Sequence, residues 1–333
     1  MKSLVRSGFA LTGAAVLGAT LAVGGASVMG ANPGNGNGNG NGNGNGNGKP
    51  ATSAEIYQDE IKDYGACRGL DASCYNDWGN GFEEGDDKRI LIWSRTAGPR
   101  HAHLGTSLGE GMNPELGDDN VAQRELIAWA EERGIEADWT EDLDEFRRLG
   151  GYQAVVFLSA NRDTLGDQQQ NALTKYVRGG GGFVGIHNAF GAEYNWEWYE
   201  GLLGGANFYD HGPNRAGTVE TIDHEDVSTE FLPDEFGFTD EFYNLYPYPS
   251  HVNVLLEASE DTVTLDRDGG HPGHGDAHPL SWNHYYDGGR AWLTTLGHEV
   301  DAWTGESENS DLFEEHVMNG VESAMGVSEF LDD

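Results

Sequence analysis

The stretch Gly179-Gly180-Gly181-Gly182-Phe183-Val184-Gly185-Ile186-His187-Asn188-Ala189 decides the fold. Its four glycines break whatever precedes them. The next four residues, mainly apolar and partly β-branched, read as a short buried strand, too short for a helix. After Ile186 the sequence turns polar. A strand that stops on a polar side chain within an α/β pattern places that side chain at the carboxyl edge of the sheet, where open α/β folds bind ligands. Gly185 to Ala189 also has the small-x-nucleophile-x-small frame of a strand-to-helix elbow, with imidazole where Ser or Cys would stand. His187 is therefore read as the centre of the active site, its ring facing solvent among other protonatable groups.

Working outward, Ala154-Val155-Val156-Phe157-Leu158 is the clearest continuous apolar run, as expected of a central parallel strand. A helix over 166–178 follows, with Ala172, Leu173, Tyr176 and Val177 facing inward. Upstream, strand 89–94 ends in a polar loop, 95–103, and is followed by a helix over 118–133, a strand over 136–139 and a short helix over 143–149. Strands alternating with helices at this spacing mean a parallel sheet with right-handed crossovers. Trp196, Trp198, Tyr199, Leu202 and Leu203 predict a helix after the elbow. Beyond Gly204 the pattern changes to strand-like pieces at 217–222, 252–256, 262–265 and 290–295, long loops, and a last helix over 310–325.

The 333-residue chain divides accordingly. Residues 1–31 carry Lys2 and Arg6 before an apolar Ala/Gly-rich run, the pattern of a secretory signal or, uncleaved, of an N-terminal anchor. Residues 32–50 hold an Asn-Gly repeat that reads as a flexible tether. Residues 51–87 form an irregular lead-in with one short helix over 53–63, and residues 88–328 the α/β domain. The expected location is secreted, or tethered at the cell surface, with a membrane touched only through an uncleaved N-terminus. Cys67 and Cys74 suit a small-loop disulfide in that setting.

Nineteen basic residues face 56 acidic ones, giving a formal charge of −37. Acids spread along the chain, with lysine confined to Lys2, Lys49, Lys62, Lys88 and Lys175, point to folding in high salt, where screening removes self-repulsion. Nucleic acid is excluded as a partner, because no basic face exists to meet phosphates. Oligomeric state is not legible.

With no Ser or Cys at the elbow, covalent acyl chemistry of the usual kind is absent. His187 then acts as general acid or base, metal ligand or hydrogen-bond donor. Histidine recurs at other strand ends, as His101 and His103, His278 and His298. Histidines converging with carboxylates could hold a divalent metal; a metal-free acid/base site is the alternative, and no cofactor is fixed. The metal candidates are His101, His187, His278 and His298. Glu241 lies beside Phe242 and Tyr243, surroundings that raise a carboxyl pKa. Residues 266–276 lack the full calcium-loop pattern and read as a flexible acidic surface loop. The aromatics near the polar loops suit stacking on sugar rings.

From Arg89 to about Met325 the chain resembles the ThuA-like (trehalose utilisation) family. The resemblance rests on Ser94-Arg95-Thr96-Ala97-Gly98-Pro99-Arg100-His101, on the runs 154–158 and 176–187, and on Glu193-Tyr194-Asn195-Trp196-Glu197-Trp198-Tyr199. Thr239-Asp240-Glu241-Phe242-Tyr243, His278-Pro279-Leu280-Ser281-Trp282 and Leu296-Gly297-His298 complete it. It implies a flavodoxin-like three-layer α/β sandwich of the class I glutamine amidotransferase superfamily, with a mainly parallel sheet, and a link to carbohydrate catabolism, notably of 3-keto-glycosides. The expected activity is cleavage of a glycoside by His/Glu acid-base chemistry. His187, Glu241, His101 and His298 are the expected catalytic residues. Arg100, Asn188, Tyr194, Trp198, Tyr243, His278 and Trp282 are expected to bind the carbohydrate. A non-catalytic carbohydrate-binding module and a metal-dependent hydrolase are the alternatives.

Overall fold

In the computed structural model, which describes residues 51–263 and 270–331, the apolar runs become the centre of one long sheet. The strands are β1 (Arg68–Gly69), β2 (Arg89–Trp93), β3 (Glu136–Thr140), β4 (Ala154–Leu158), β5 (Gly182–Ile186) and β6 (Phe208–His211). They continue as β7 (Arg215–Thr221), β8 (Glu235–Asp240), β9 (Tyr243–Leu245), β10 (Asn253–Ala258), β11 (Pro279–Tyr286) and β12 (Gly289–Thr294). The helices are α1 (Ser53–Tyr57), α2 (Val121–Glu132), α3 (Asp167–Arg178), α4 (Glu197–Leu202), α5 (Glu260–Val263), α6 (Val300–Thr304) and α7 (Ser310–Met325).

The sheet runs β3-β2-β4-β5-β12-β11-β10-β7-β8. Its first five strands are all parallel. Numbered among themselves in chain order, they run 2-1-3-4-5, the flavodoxin arrangement. The remaining strands extend it antiparallel from β12, and β6 pairs with β9 in a separate small ribbon. Along β2 the side chains alternate. Ile90 and Ile92 join a core with α2, α6 and α7, whereas Leu91 and Trp93 join the opposite core with α3 and α4. That is the expected three-layer build.

The glycine run does more than break a helix. Gly180 sits at φ +99°, and a Cβ there would lie 2.2 Å from the Asn76 carbonyl oxygen. At Gly182 a Cβ would meet the Ala324 carbonyl at 2.3 Å, so glycine lets α7 approach β5.

Some expectations are corrected. Residues 143–147 make turns instead of a helix, because the Asp142 carboxylate accepts from the Asp144 and Gly111 amides and holds the chain bent. The strand expected over 262–265 is, up to Val263, helix α5, closed by the Thr262 hydroxyl on the Ser259 carbonyl; its last two residues lie outside the described part. The lead-in helix ends at Tyr57. Strands β6, β8, β9 and β11 were not anticipated. Residues 51–87 dock on the sheet: β1 pairs with β11, and the Cys67–Cys74 disulfide forms as expected. The signal and tether assigned to 1–31 and 32–50 lie outside the described residues. Among the described residues, no helix is long and apolar enough to cross a membrane.

Candidate active site

Three parallel strands deliver three imidazoles to the carboxyl edge. His101 follows β2 and caps the 3-10 turn Ala102–Leu104. His187 follows β5 and begins the 3-10 turn His187–Gly191. His298 follows β12. The antiparallel arm folds back so that Glu241, between β8 and β9, joins them. One ligand atom from each of His101, His187, Glu241 and His298 lies within 4.8 Å of all the others.

The hydrogen bonds behind this cluster fix which nitrogen each ring presents. His187 Nδ1 donates to the Thr295 carbonyl at 2.8 Å, leaving Nε2 as the lone-pair atom, which accepts from the Tyr243 hydroxyl at 2.8 Å. His298 Nδ1 donates to Glu299 Oε1 at 2.8 Å, and its Nε2 faces Glu241 Oε1 at 3.3 Å. His211 repeats the pattern: Nδ1 donates to the Gly212 carbonyl and Nε2 lies 3.6 Å from Glu241 Oε2. A ring that gives Nδ1–H to a carbonyl or carboxylate and aims Nε2 inward has the second-shell support typical of metal-ligating histidines. His101 Nδ1 is buried with no hydrogen-bond partner.

Electrostatics favour neutral rings. Burial, reinforced by His298 and His211, pushes His101 down to about 4. Burial, then His101 and His103, pushes His187 well below its ordinary value. Behind them His103 donates Nδ1–H to the His298 carbonyl and accepts from Ser159 Oγ, both at 2.8 Å, and burial lowers it to about 3. Asp240 is fully buried and accepts from the amides of Glu241 at 2.8 Å, Gly297 at 2.7 Å and His298 at 3.3 Å. It thereby ties two ligand-bearing segments together.

The expectation of a solvent-facing His187 is corrected: its ring is fully buried, because β5 ends beneath the turn 187–191 and Tyr243 covers Nε2. A cavity of about 150 Å³ lies beside the cluster, lined by His101, Asn188, Tyr194, His211, Glu241 and Tyr243 among others but by neither His187 nor His298. That is below the ~300–1,000 Å³ of sites for drug-sized ligands.

Of the expected carbohydrate contacts, Asn188, Tyr194 and Tyr243 line this cavity and four do not. The Arg100 guanidinium is spent on the carbonyls of Ser94, Leu104, Gly105 and Thr106 and on Glu141 at 2.8 Å. Trp198 stacks on Trp196 and donates to Asp287. Trp282 is fully buried and donates to the Leu203 carbonyl. His278, also a metal candidate, sits apart from the cluster with Glu260 and His274, because its Nε2 is drawn to the Tyr243 carbonyl at 2.9 Å. His211 and Arg162 line the cavity and were not singled out; they reach it through the β6–β9 ribbon and the turn after β4, which no local spacing signals.

Comparisons with known proteins agree with this architecture. The family model described as ThuA, trehalose utilisation, matches residues 89–324. A putative ThuA-like protein from Bacteroides uniformis superposes with a TM-score of 0.56 at 21% identity, covering 74% of this chain and 94% of its own. One from Parabacteroides merdae gives 0.54 at 18%, covering 74% and 93%. No curated protein sequence matches significantly.

Proposed function

Since the chain belongs to the ThuA trehalose-utilisation family, we propose that it is a carbohydrate-active enzyme that cleaves a glycoside, with 3-keto-glycosides as the substrate class, at a divalent-metal centre. His101, His187, His298 and Glu241 hold the cation. The observation that carries this reading is the convergence of three imidazoles and one carboxylate, with an orphaned buried Nδ1 at His101, beside a small cavity. Imidazole with carboxylate suits zinc and its borderline neighbours.

The cation supplies Lewis acidity toward the sugar carbonyl. The chain's own residues do the proton work. In a 3-keto-glycoside the carbonyl acidifies the C2–H bond. His211 Nε2, a lone-pair atom at the cavity wall, takes that proton as general base. The electron pair forms C1=C2, the C1–O bond breaks, and the same proton passes to the departing oxygen. Water then adds its hydroxyl to C1 and its proton to C2, completing a net hydrolysis. His187 serves as a ligand on this reading, because Nδ1 is committed to Thr295 and the ring is closed to solvent. The Cys67–Cys74 disulfide supports action outside the cytoplasm.

The test is metal analysis of the purified chain followed by assay on a 3-keto-disaccharide. Bound zinc, cleavage, loss on chelation and loss in His211→Ala are expected. No cleavage with or without added divalent metal overturns the enzymatic reading, and would leave glycan binding as the function to measure.

A further inference from the structure

A second set of histidines, outside that centre, closes over the end of the antiparallel arm. Glu260 on α5 and His274 and His278 ahead of β11 bring one ligand atom each within 4.8 Å of one another. The two rings stack with centroids 3.8 Å apart at 26°. Their Nδ1 atoms face the same carboxylate oxygen, Glu260 Oε1, at 2.9 Å from His278 and 3.4 Å from His274. His278 Nε2 donates to the Tyr243 carbonyl, so in the neutral ring Nδ1 is a lone-pair atom. His274 is 1% exposed; its Nε2 accepts from the Leu245 amide at 3.3 Å, which leaves the Nδ1 proton facing Glu260 Oε1 at 3.4 Å.

We propose that Glu260, His274 and His278 bind a second divalent cation of the zinc class, in a structural role. Two imidazoles and a carboxylate are a borderline-metal donor set, with a fourth position left to water. Spacings of 2.9 and 3.4 Å approach the ~3.4 Å between ligands bonded tetrahedrally at ~2.0–2.1 Å. Coordination through Nδ1 moves the His274 proton to Nε2, so the ring leaves its long 3.3 Å contact with the Leu245 amide.

The ion fixes more than a loop. The segment before β11 is already gripped by the lead-in, where the Tyr57 hydroxyl donates to the Gly273 carbonyl at 2.7 Å and the Ser53 amide to Asp276 Oδ1 at 2.8 Å. Through His278 it holds the main chain of Tyr243, whose hydroxyl bonds His187. The acidic surface loop expected over 266–276 is thus, from residue 270 onward, partly buried, with His271 and His274 turned inward. The metal-free alternative is a direct contact between His278 Nδ1 and Glu260 with no ion between them.

Zinc stoichiometry decides between them. The full chain is loaded with zinc, desalted and measured by mass spectrometry, with near-ultraviolet dichroism to confirm folding. Two zinc ions per wild-type chain, one in His274→Ala, one in Glu260→Gln, one in His101→Ala and none in the His101/His274 double variant are expected. One zinc in the wild type, retained in both His274→Ala and Glu260→Gln and lost in His101→Ala, overturns this proposal and leaves the proposed catalytic centre standing. Two zinc ions with His101→Ala unaffected and one lost in His274→Ala has the opposite meaning.

Discussion

Tyr243→Phe separates a buried hydrogen bond from metal coordination at the same atom. In the metal-free protein the Tyr243 hydroxyl, 1% exposed, donates to His187 Nε2 at 2.8 Å. Deleting that oxygen leaves Nε2 buried without a donor while the ring stays pinned through Nδ1 to Thr295. Such a loss costs about 1–3 kcal/mol. For a domain of this size each kcal/mol moves the midpoint by about 2–4 °C, so a drop of roughly 2–12 °C is expected. With zinc at saturation Nε2 bonds the ion instead, and the difference between wild type and variant should shrink toward zero. Both proteins gain stability from zinc in proportion to the logarithm of its concentration over Kd, so only their difference is diagnostic. Thermal unfolding in chelator and in excess zinc measures it. Equal midpoints in chelator would refute the energetic role of the hydroxyl. A deficit undiminished by zinc would refute Nε2 as a ligand.

Asp240→Asn places an amide NH₂ where one carboxylate oxygen now accepts from Gly297 or Glu241, setting donor against donor. A loss of about 2–3 kcal/mol in urea unfolding and weaker zinc binding are expected; an unchanged midpoint contradicts that. Burial lowers His316 to about 4, below its unfolded value, while Nδ1 donates to the Ser228 carbonyl at 2.8 Å. The unfolded chain therefore takes up the proton first. The stability contribution is full well above about pH 6.5 and is lost as pH falls toward 4, the loss reaching ~2 kcal/mol at about pH 5. His316→Gln should flatten the fall in urea midpoint between about pH 7 and 5, and an unaltered slope argues against it. With a formal charge of −37, the melting temperature should rise as sodium chloride goes from about 0.1 to 1 M, because the screening length falls from ~10 to ~3 Å; a flat response removes the high-salt reading.

Legibility followed burial chemistry. β4 and β5 are buried at every position, and β2 at all but its first, which is why uninterrupted apolar runs announced them. Helix α7 has the expected bounds because its buried residues recur at helical spacing between Ser310 and Met325. Strand β11 is buried at every position too, yet includes Ser281, Asn283 and His284, so hydropathy conceals it. The Ser281 hydroxyl and the Asn283 amide donate to tertiary partners, the Leu293 carbonyl and Asp226, which no local window contains. The same division runs through the site. His101, His187 and His298 were readable because parallel strands end at one edge, whereas His211 arrives through a ribbon between β6 and β9 whose pairing is long-range.

His187 itself gives the strongest reason to treat this edge as chemical. Its φ is +50°, a conformation that costs a residue bearing a side chain of order 1–3 kcal/mol and that glycine adopts freely. Its imidazole is sealed from solvent at a further cost in protonation freedom. The elbow therefore carries strain and burial together for the sake of one ring. That ring presents Nε2 toward two other histidines and a glutamate and secures Nδ1 on a carbonyl. Packing alone would be met by glycine, which carries neither cost. The proposed coordination would use this ring, in this tautomer, at this turn, and would engage in the same step the orphaned nitrogen on His101, beside the carboxylate of Asp240 that ties Glu241 to His298.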